Sequence, residues 1–213
     1  MLPVAGLLLA AAVSSPVPDA GRHRLQVDMT VGENVALGKG SLRAIAAEVQ
    51  RIWAPALELR VSVGTSAVAG AVDTLRVQIT NSTRDGGEST GLGWIVFDEG
   101  EPRREATVSL GAARRLLQGA TWMGTPFAQL PVVASTRFLE RALAQALAHE
   151  IGHYVFRSSA HEHRGLMRAR FTADEIMDPR PEFVRLADTA VARLRNGGLV
   201  AQRTCDRPTA SCD

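Results

Sequence analysis

The sequence has no marked excess of charge of either sign and few cysteines. Lysine and arginine together number 24 and aspartate and glutamate 22, which gives a formal net charge of +2. This balance excludes a strongly polycationic protein and gives no electrostatic reason to expect nucleic acid as a partner. The uncharged apolar run at residues 2–13 is shorter than the about 20 residues that a transmembrane helix needs, so stable membrane insertion is not expected.

That apolar run has instead the length of the core of a signal peptide. Small residues follow it, and Ala12-Val13-Ser14 offers a cleavage site. We therefore expect residues 1–20 to be a signal peptide and a short linker, and the protein to be secreted or periplasmic. No lysine or arginine precedes the run, and a buried N-terminal helix or strand is the alternative.

Both cysteines, Cys205 and Cys212, lie in the polar C-terminal tail 199–213. In an oxidising compartment we expect them to pair across a short loop, which would contribute about 2–3 kcal/mol. Two free thiols are the alternative. No second pair of cysteines or histidines accompanies them, so a metal site is not expected in the tail.

Hydrophobic periodicity predicts a mixture of strands and helices. Alternating patterns predict strands at residues 25–31, 57–63 and 75–80 and a hairpin of 94–97 with 106–110. Helical spacing predicts helices at residues 42–53, 112–117, 135–156 and 181–194, with Ser41 and Gly197 as caps and 119–131 irregular. The 213 residues suit one domain. We predict an α+β fold over 21–198, in which a small, twisted, mixed sheet with a packed helix precedes a helical C-terminal half.

The sequence His149-Glu150-Ile151-Gly152-His153 is an H-E-x-x-H motif inside a predicted helix. Residues i and i+4 lie on one helix face, so both imidazoles can reach one Zn²⁺, and Glu150 can reach a water on that metal. The surrounding helix is apolar, and these polar side chains would be costly to bury without partners. We predict that His149 and His153 bind zinc and that Glu150 is catalytic. Two unliganded histidines on a helix are the alternative. Gly152, unfavourable inside a helix, predicts close packing against another segment.

A catalytic zinc needs a third protein ligand, which must come from beyond this helix. His161 is the preferred candidate, because residues 157–160 can end the helix and return the chain to the metal. His163 is a second candidate. A downstream carboxylate is the third possibility, from Glu175, Asp178 or Glu182.

Together, His149-Glu150-x-x-His153, His161 and Gly165-Leu166-Met167 resemble the metzincin zinc peptidases. The pattern of that family is H-E-x-x-H-x-x-G-x-x-H followed by a methionine turn. Phe156 and Ser159 stand where the pattern has its glycine and its third histidine, so His161 comes two residues later. The resemblance covers residues 149–167. It implies a zincin-like fold with Met167 beneath the metal; ordinary core filling is the alternative for Met167.

Together with the predicted signal peptide, the resemblance implies a secreted zinc metalloendopeptidase that acts on peptide or protein substrates. Zn²⁺ would polarise the scissile carbonyl, and Glu150 would take a proton from the activated water. A non-catalytic zinc-stabilised domain and a zinc hydrolase of non-peptide amides are alternatives, although a structural zinc has no use for Glu150. An extended substrate would lie along residues 93–97, the candidate edge strand; a hairpin of the core is the alternative. Trp122 and Phe127 either line a substrate pocket or belong to the core, and Tyr154 has no predicted catalytic role.

Overall fold

The computed structural model describes residues 23–64, 73–82, 91–178 and 180–195. The predictions for residues 1–20, for the pair Cys205 and Cys212 and for the cap at Gly197 lie outside the described residues. Within the described ranges, none of the helices combines the length and the apolar character that crossing a bilayer requires.

Strands dominate the first half of the chain and helices the second, as the sequence predicts. The strands are β1 (Arg24–Val31), β2 (Glu58–Val63), β3 (Asp73–Thr80), β4 (Gly93–Asp98), β5 (Glu101–Ser109), β6 (Thr121–Trp122) and β7 (Thr125–Pro126). The helices are α1 (Lys39–Trp53), α2 (Leu110–Gln118), α3 (Val132–Phe156), α4 (Ala173–Met177) and α5 (Asp188–Arg195).

Five strands form one sheet in the order β2-β1-β3-β5-β4. The pairs β1–β2, β1–β3 and β3–β5 are parallel, whereas β4 pairs with β5 antiparallel through a tight hairpin. Glu99 and Gly100 form its turn with φ of 50° and 86°, the left-handed conformations that two-residue hairpins use. The sheet is therefore mixed, as predicted, and β4 is an edge strand.

The sheet buries one face beneath the helices. Along β3, the side chains of Leu75, Val77 and Ile79 are buried while those between them are exposed, the alternation of a sheet with one covered face. Helix α1 packs against β2 and against α3, and α3 also packs against β4 and β5. Trp53, fully buried at the end of α1, donates its indole N–H to the carbonyl of Ala148 in α3 at 3.2 Å. The first helix thus fixes the backbone of the helix that carries the H-E-x-x-H motif.

Three local predictions were wrong. Helix α1 begins at Lys39 with Gly38 as its N-cap, so Ser41 lies inside the first turn and caps nothing. The region 119–131 is not fully irregular, because β6 and β7 pair as a short hairpin before a 3-10 turn. The predicted helix 181–194 is a 3-10 turn at Pro181–Val184 followed by α5 from Asp188, since the intervening residues are extended and bury Leu186.

Candidate metal centre

Helix α3 changes character along its length. Its first turns are partly exposed, whereas every residue from Ala142 to Val155 is buried. His149, Glu150 and His153 lie in this buried part, with exposed fractions of only 5–6%. The prediction that the motif lies on a buried helix is confirmed, and these three side chains need polar partners.

The two helical histidines are oriented by backbone carbonyls. The Nδ1 of His149 lies 2.8 Å from the carbonyl oxygen of Leu166, and the Nδ1 of His153 lies 2.6 Å from that of Ser158. A carbonyl only accepts, so we assign the proton of each ring to Nδ1. Each Nε2 then carries no proton and has a free lone pair. The two Nε2 atoms face each other at a distance of 2.9 Å. A cation between them would satisfy both.

The loop after α3 brings His161 to the same place. The helix ends at Phe156, and the chain turns back at the C-cap Arg157, which has left-handed φ and ψ of 49° and 44°. The His161 ring stacks on that of His149 with centroids 5.2 Å apart and meets His153 edge-on at 4.9 Å. Ligand atoms of the three histidines lie within 4.8 Å of one another. The turn predicted at residues 157–160 therefore has the predicted effect.

Burial favours the metal-binding form of the helical histidines. Desolvation lowers the pKa of His149 to about 4, against the opposing effect of the Leu166 carbonyl, and it also lowers the pKa of His153. Both imidazoles are therefore neutral near neutral pH, with lone pairs free to bind a metal.

Glu150 projects toward the edge strand β4. Its carboxylate accepts a hydrogen bond from the backbone N–H of Ile95, which lowers its pKa, but burial outweighs this and raises the pKa to about 8. The approach to the strand is close: a Cβ added to Gly93 would lie 3.0 Å from Cγ of Glu150 and 2.9 Å from the carbonyl of Thr107. A glycine at position 93 therefore makes room for the carboxylate.

The glycine inside the motif has a packing role. A Cβ on Gly152 would collide with the thioether of Met167, which is itself buried. The prediction that Gly152 allows another segment to approach the helix is confirmed. Met167 lies against α3 between the turns that carry His149 and His153, and it is the loop residue that closes this contact.

A buried arginine supports the other wall of the site. Arg168, 8% exposed, forms an ion pair of 3.2 Å with Glu175 and stacks its guanidinium 4.5 Å from the ring of Phe171. That ring in turn meets His149 edge-on, with centroids 5.8 Å apart. Glu175, Arg168 and Phe171 thus form a chain of contacts that ends on a candidate ligand.

The histidines open onto a cleft of about 480 Å³ between β4 and the loop after α3. Its lining includes, besides the histidines and Glu150, Gly93, Trp94, Ile95, Phe97, Leu116, Ala146, Ala169, Arg170 and Phe171. Trp122 and Phe127 are not among the lining residues. Trp122 packs on Phe138 and Phe127 is buried, so of the two alternatives Phe127 belongs to the core, and neither aromatic lines this cleft.

None of the alternative third ligands belongs to the group of described residues whose ligand atoms lie within 4.8 Å of one another. His163 is exposed. Glu175 caps α4 by accepting from the backbone N–H of Thr172. Asp178 and Glu182 both pair with Arg180, at 2.7 and 3.5 Å.

Tyr154 points to the other side of α3. Its hydroxyl donates to Asp73 at 2.6 Å, and burial together with this bond raises its pKa. This contact ties α3 to the start of β3, in agreement with the absence of a predicted catalytic role.

Sequence reasoning missed the residues that hold the site together. No sequence pattern marks Arg168 and Phe171 as neighbours of His149. The hydrogen bonds to Leu166 and Ser158 use backbone carbonyls, which do not depend on residue type. Gly93 offered a weak signal, since a glycine that opens a strand indicates close backbone approach.

The donor set fits a zinc ion. Ligand nitrogens on tetrahedral zinc, with bonds of about 2.0–2.1 Å, stand about 3.4 Å apart. The facing Nε2 atoms at 2.9 Å would separate only slightly. Their Nδ1 atoms already have the backbone partners that ligating histidines usually have. The structure thus combines a mixed sheet that has an antiparallel edge strand with a buried helix that bears two of three converging histidines.

No family model and no curated protein sequence matches the chain. Among solved structures, the fold is similar to that of archaemetzincin from Methanopyrus kandleri, with a TM-score of 0.50 and 18% sequence identity. The match covers 85% of this chain and 98% of that one. At this identity the likeness establishes the fold, and the mixed α/β architecture predicted from the sequence is confirmed.

Proposed function

We propose that the chain is a zinc-dependent metallopeptidase in which His149, His153 and His161 bind the metal and Glu150 is the general base. The observation that carries this proposal is the pair of facing Nε2 atoms 2.9 Å apart, next to a third imidazole. The similarity of the fold to a protein named as a metzincin supports the same class.

Bound zinc would polarise a substrate carbonyl and lower the pKa of a water. Glu150 would take the proton of the attacking water and pass it to the leaving amine. The hydrogen bond that the backbone N–H of Ile95 donates orients the Glu150 carboxylate. A nearby dication would offset the desolvation that raises its pKa, so that Glu150 is ionised when it acts.

A peptide is the substrate that best suits the cleft. β4 is the edge strand of the sheet, so an extended peptide can add to it through backbone hydrogen bonds. We place this activity in a domain spanning residues 21–198, working outside the cytoplasm after removal of a signal peptide.

The experiment compares the wild-type protein with Glu150→Gln. Zinc content is measured by atomic absorption and activity by hydrolysis of casein. We expect Glu150→Gln to retain zinc and to lose at least about 100-fold in activity, because it removes the base and leaves the ligands in place. Glu162→Gln, an exposed carboxylate near the ligands, is the control and should match the wild type.

Each part of the proposal has its own contrary result. A wild-type protein that binds no zinc refutes the metal site. A Glu150→Gln variant as active as wild type refutes the assigned base. Stable zinc binding without hydrolysis of any peptide or amide favours a non-catalytic zinc domain.

A further inference from the structure

Arg170 is the one cationic side chain, apart from the histidines, among the described residues that line the cleft. It is exposed, and it forms no ion pair or hydrogen bond with any other described residue. Some other exposed arginines among the described residues do have partners. Asp98 pairs with Arg103, and Arg157 pairs with Glu101. An unpaired guanidinium at a cleft wall is free to bind an anion from solution.

The cleft offers Arg170 no negative partner of its own. Glu150 is the only carboxylate among its described lining residues, and that side chain is buried against β4. The two residues that flank Arg170 in the chain, Ala169 and Phe171, are apolar and also line the cleft. Because Arg170 is exposed, its guanidinium is accessible to an anion that enters the cleft.

The position of Arg170 is fixed by its neighbours in the chain. Two residues earlier, Arg168 is buried and paired with Glu175, and the next residue, Phe171, packs on the guanidinium of Arg168 and on the ring of His149. The backbone on both sides of Arg170 is thus anchored next to the candidate metal ligands. Its side chain forms part of the wall that faces β4 across the cleft.

We propose that Arg170 selects peptide substrates that carry a carboxylate close to the scissile bond, either an acidic side chain or the C-terminal carboxylate. This inference rests on the proposed function. An extended peptide on β4 directs alternate side chains to opposite sides, so one of them meets the wall that holds Arg170. A guanidinium binds a carboxylate through two parallel hydrogen bonds, a stronger and more specific contact than a neutral pair makes.

The test starts from one peptide that the wild-type protein cleaves. Glu, Gln or Lys is placed in turn at each position flanking the scissile bond, and each peptide is made with a free or an amidated C-terminus. We expect kcat/KM to be about tenfold higher for the best-placed Glu peptide than for its Gln counterpart, as a charge-assisted bond predicts. A preference confined to the free C-terminus identifies the terminal carboxylate as the recognised group, whereas one that survives amidation identifies the side chain.

Two variants and a control assign the preference to Arg170. Arg170→Gln should reduce the Glu-to-Gln ratio to about one, and Arg170→Glu should favour the Lys peptide. Arg164→Gln changes an exposed arginine of the same loop that does not line the cleft and should keep the wild-type ratio. A preference for Glu that persists in Arg170→Gln overturns the proposal, because the carboxylate then binds elsewhere, for example to the metal itself.

Binding is measured separately, so that it does not depend on turnover. Zinc-loaded Glu150→Gln protein, with and without Arg170→Gln, is titrated with the Glu and Gln peptides by isothermal titration calorimetry. We expect about tenfold tighter binding of the Glu peptide only where Arg170 is present. Equal affinities for the two peptides refute the role of Arg170, whereas missing zinc or missing hydrolysis bears on the proposed function alone.

Discussion

The candidate metal centre is built from two regions with different properties, the buried helix α3 and the loop 157–171 that follows it. His149 and His153 are buried, and a backbone carbonyl holds each ring. His161 is exposed, and its ring touches the other two imidazoles without hydrogen bonding to any described residue. The helix supplies a pre-oriented pair, and the loop supplies a third ring that only the metal would fix.

The two regions nevertheless depend on each other. The carbonyls that orient the helical histidines belong to Ser158 and Leu166, both in the loop. Met167 packs onto Gly152 of the helix. The helix therefore presents two candidate ligands, while carbonyls of the loop determine which nitrogen of each ring carries the proton.

Removing one candidate ligand from each region separates the contributions of helix and loop to zinc binding and to stability. This comparison has the largest expected effect. Both His153→Ala and His161→Ala should weaken zinc binding by more than about 100-fold, since removing a ligand costs more than removing its support. Only His153→Ala should also lower the stability of the metal-free protein, by about 1–3 kcal/mol, because it leaves the Ser158 carbonyl unpaired and opens a cavity.

Chelator competition measures the affinity in each case, and urea unfolding of the metal-free protein measures the stability. Zinc binding by His161→Ala as tight as that of the wild type would show that the third ligand is another residue. Equal stability losses in both variants would remove the distinction between helix and loop.

The contact between helix and loop is tested at Gly152. Gly152→Ala should destabilise the protein by about 1–3 kcal/mol. The new methyl group displaces Met167, and the free-energy cost of this displacement exceeds the gain in helix propensity. Gly40→Ala, in α1 with no atom within 4 Å of the added Cβ, is the matched control and should stabilise by up to about 1 kcal/mol. Thermal unfolding followed by circular dichroism measures both, and a stabilised Gly152→Ala protein would contradict the packing role.

A smaller effect on zinc binding is expected for Arg168, a loop residue that reaches His149 through the ring of Phe171. Arg168→Met keeps an unbranched apolar stem but loses the ion pair with Glu175 and the charged stacking on Phe171. We expect zinc affinity to fall about tenfold, the lower end of the range for residues that support a ligand. The absorption bands of the Co²⁺-substituted protein should shift, since the ring of His149 is less firmly held. Arg185→Met, which breaks an exposed pair with Asp188, should change neither measurement.

The parts of the fold that were predictable from sequence follow local periodicity. Leu75, Val77 and Ile79 alternate and form a strand, and the apolar spacing around His149 gives a buried helix. The failures occur where tertiary contacts override local preference. Leu186 is pulled into the core by an extended segment, which interrupts the predicted final helix, and Gly38 rather than Ser41 begins α1.

The site was predictable to the extent that its residues lie on one helix. The spacing of His149 and His153 places both side chains on one face of the helix. Residues 157–160 indicated a turn of the chain toward them. The contacts of Arg168, Phe171 and Arg170 arise from the path of the loop through space. No local pattern encodes that path, because its packing partners lie on other elements.

The hydrogen bond from Trp53 to the carbonyl of Ala148 has a practical consequence for protein engineering. It joins residues 95 positions apart and attaches the backbone immediately before His149 to the N-terminal half of the chain. A peptide spanning only α3 and its loop would lack this anchor and the strand that receives Glu150. Transplanting the centre into another scaffold would therefore require the sheet edge and the first helix as well as the histidine motif.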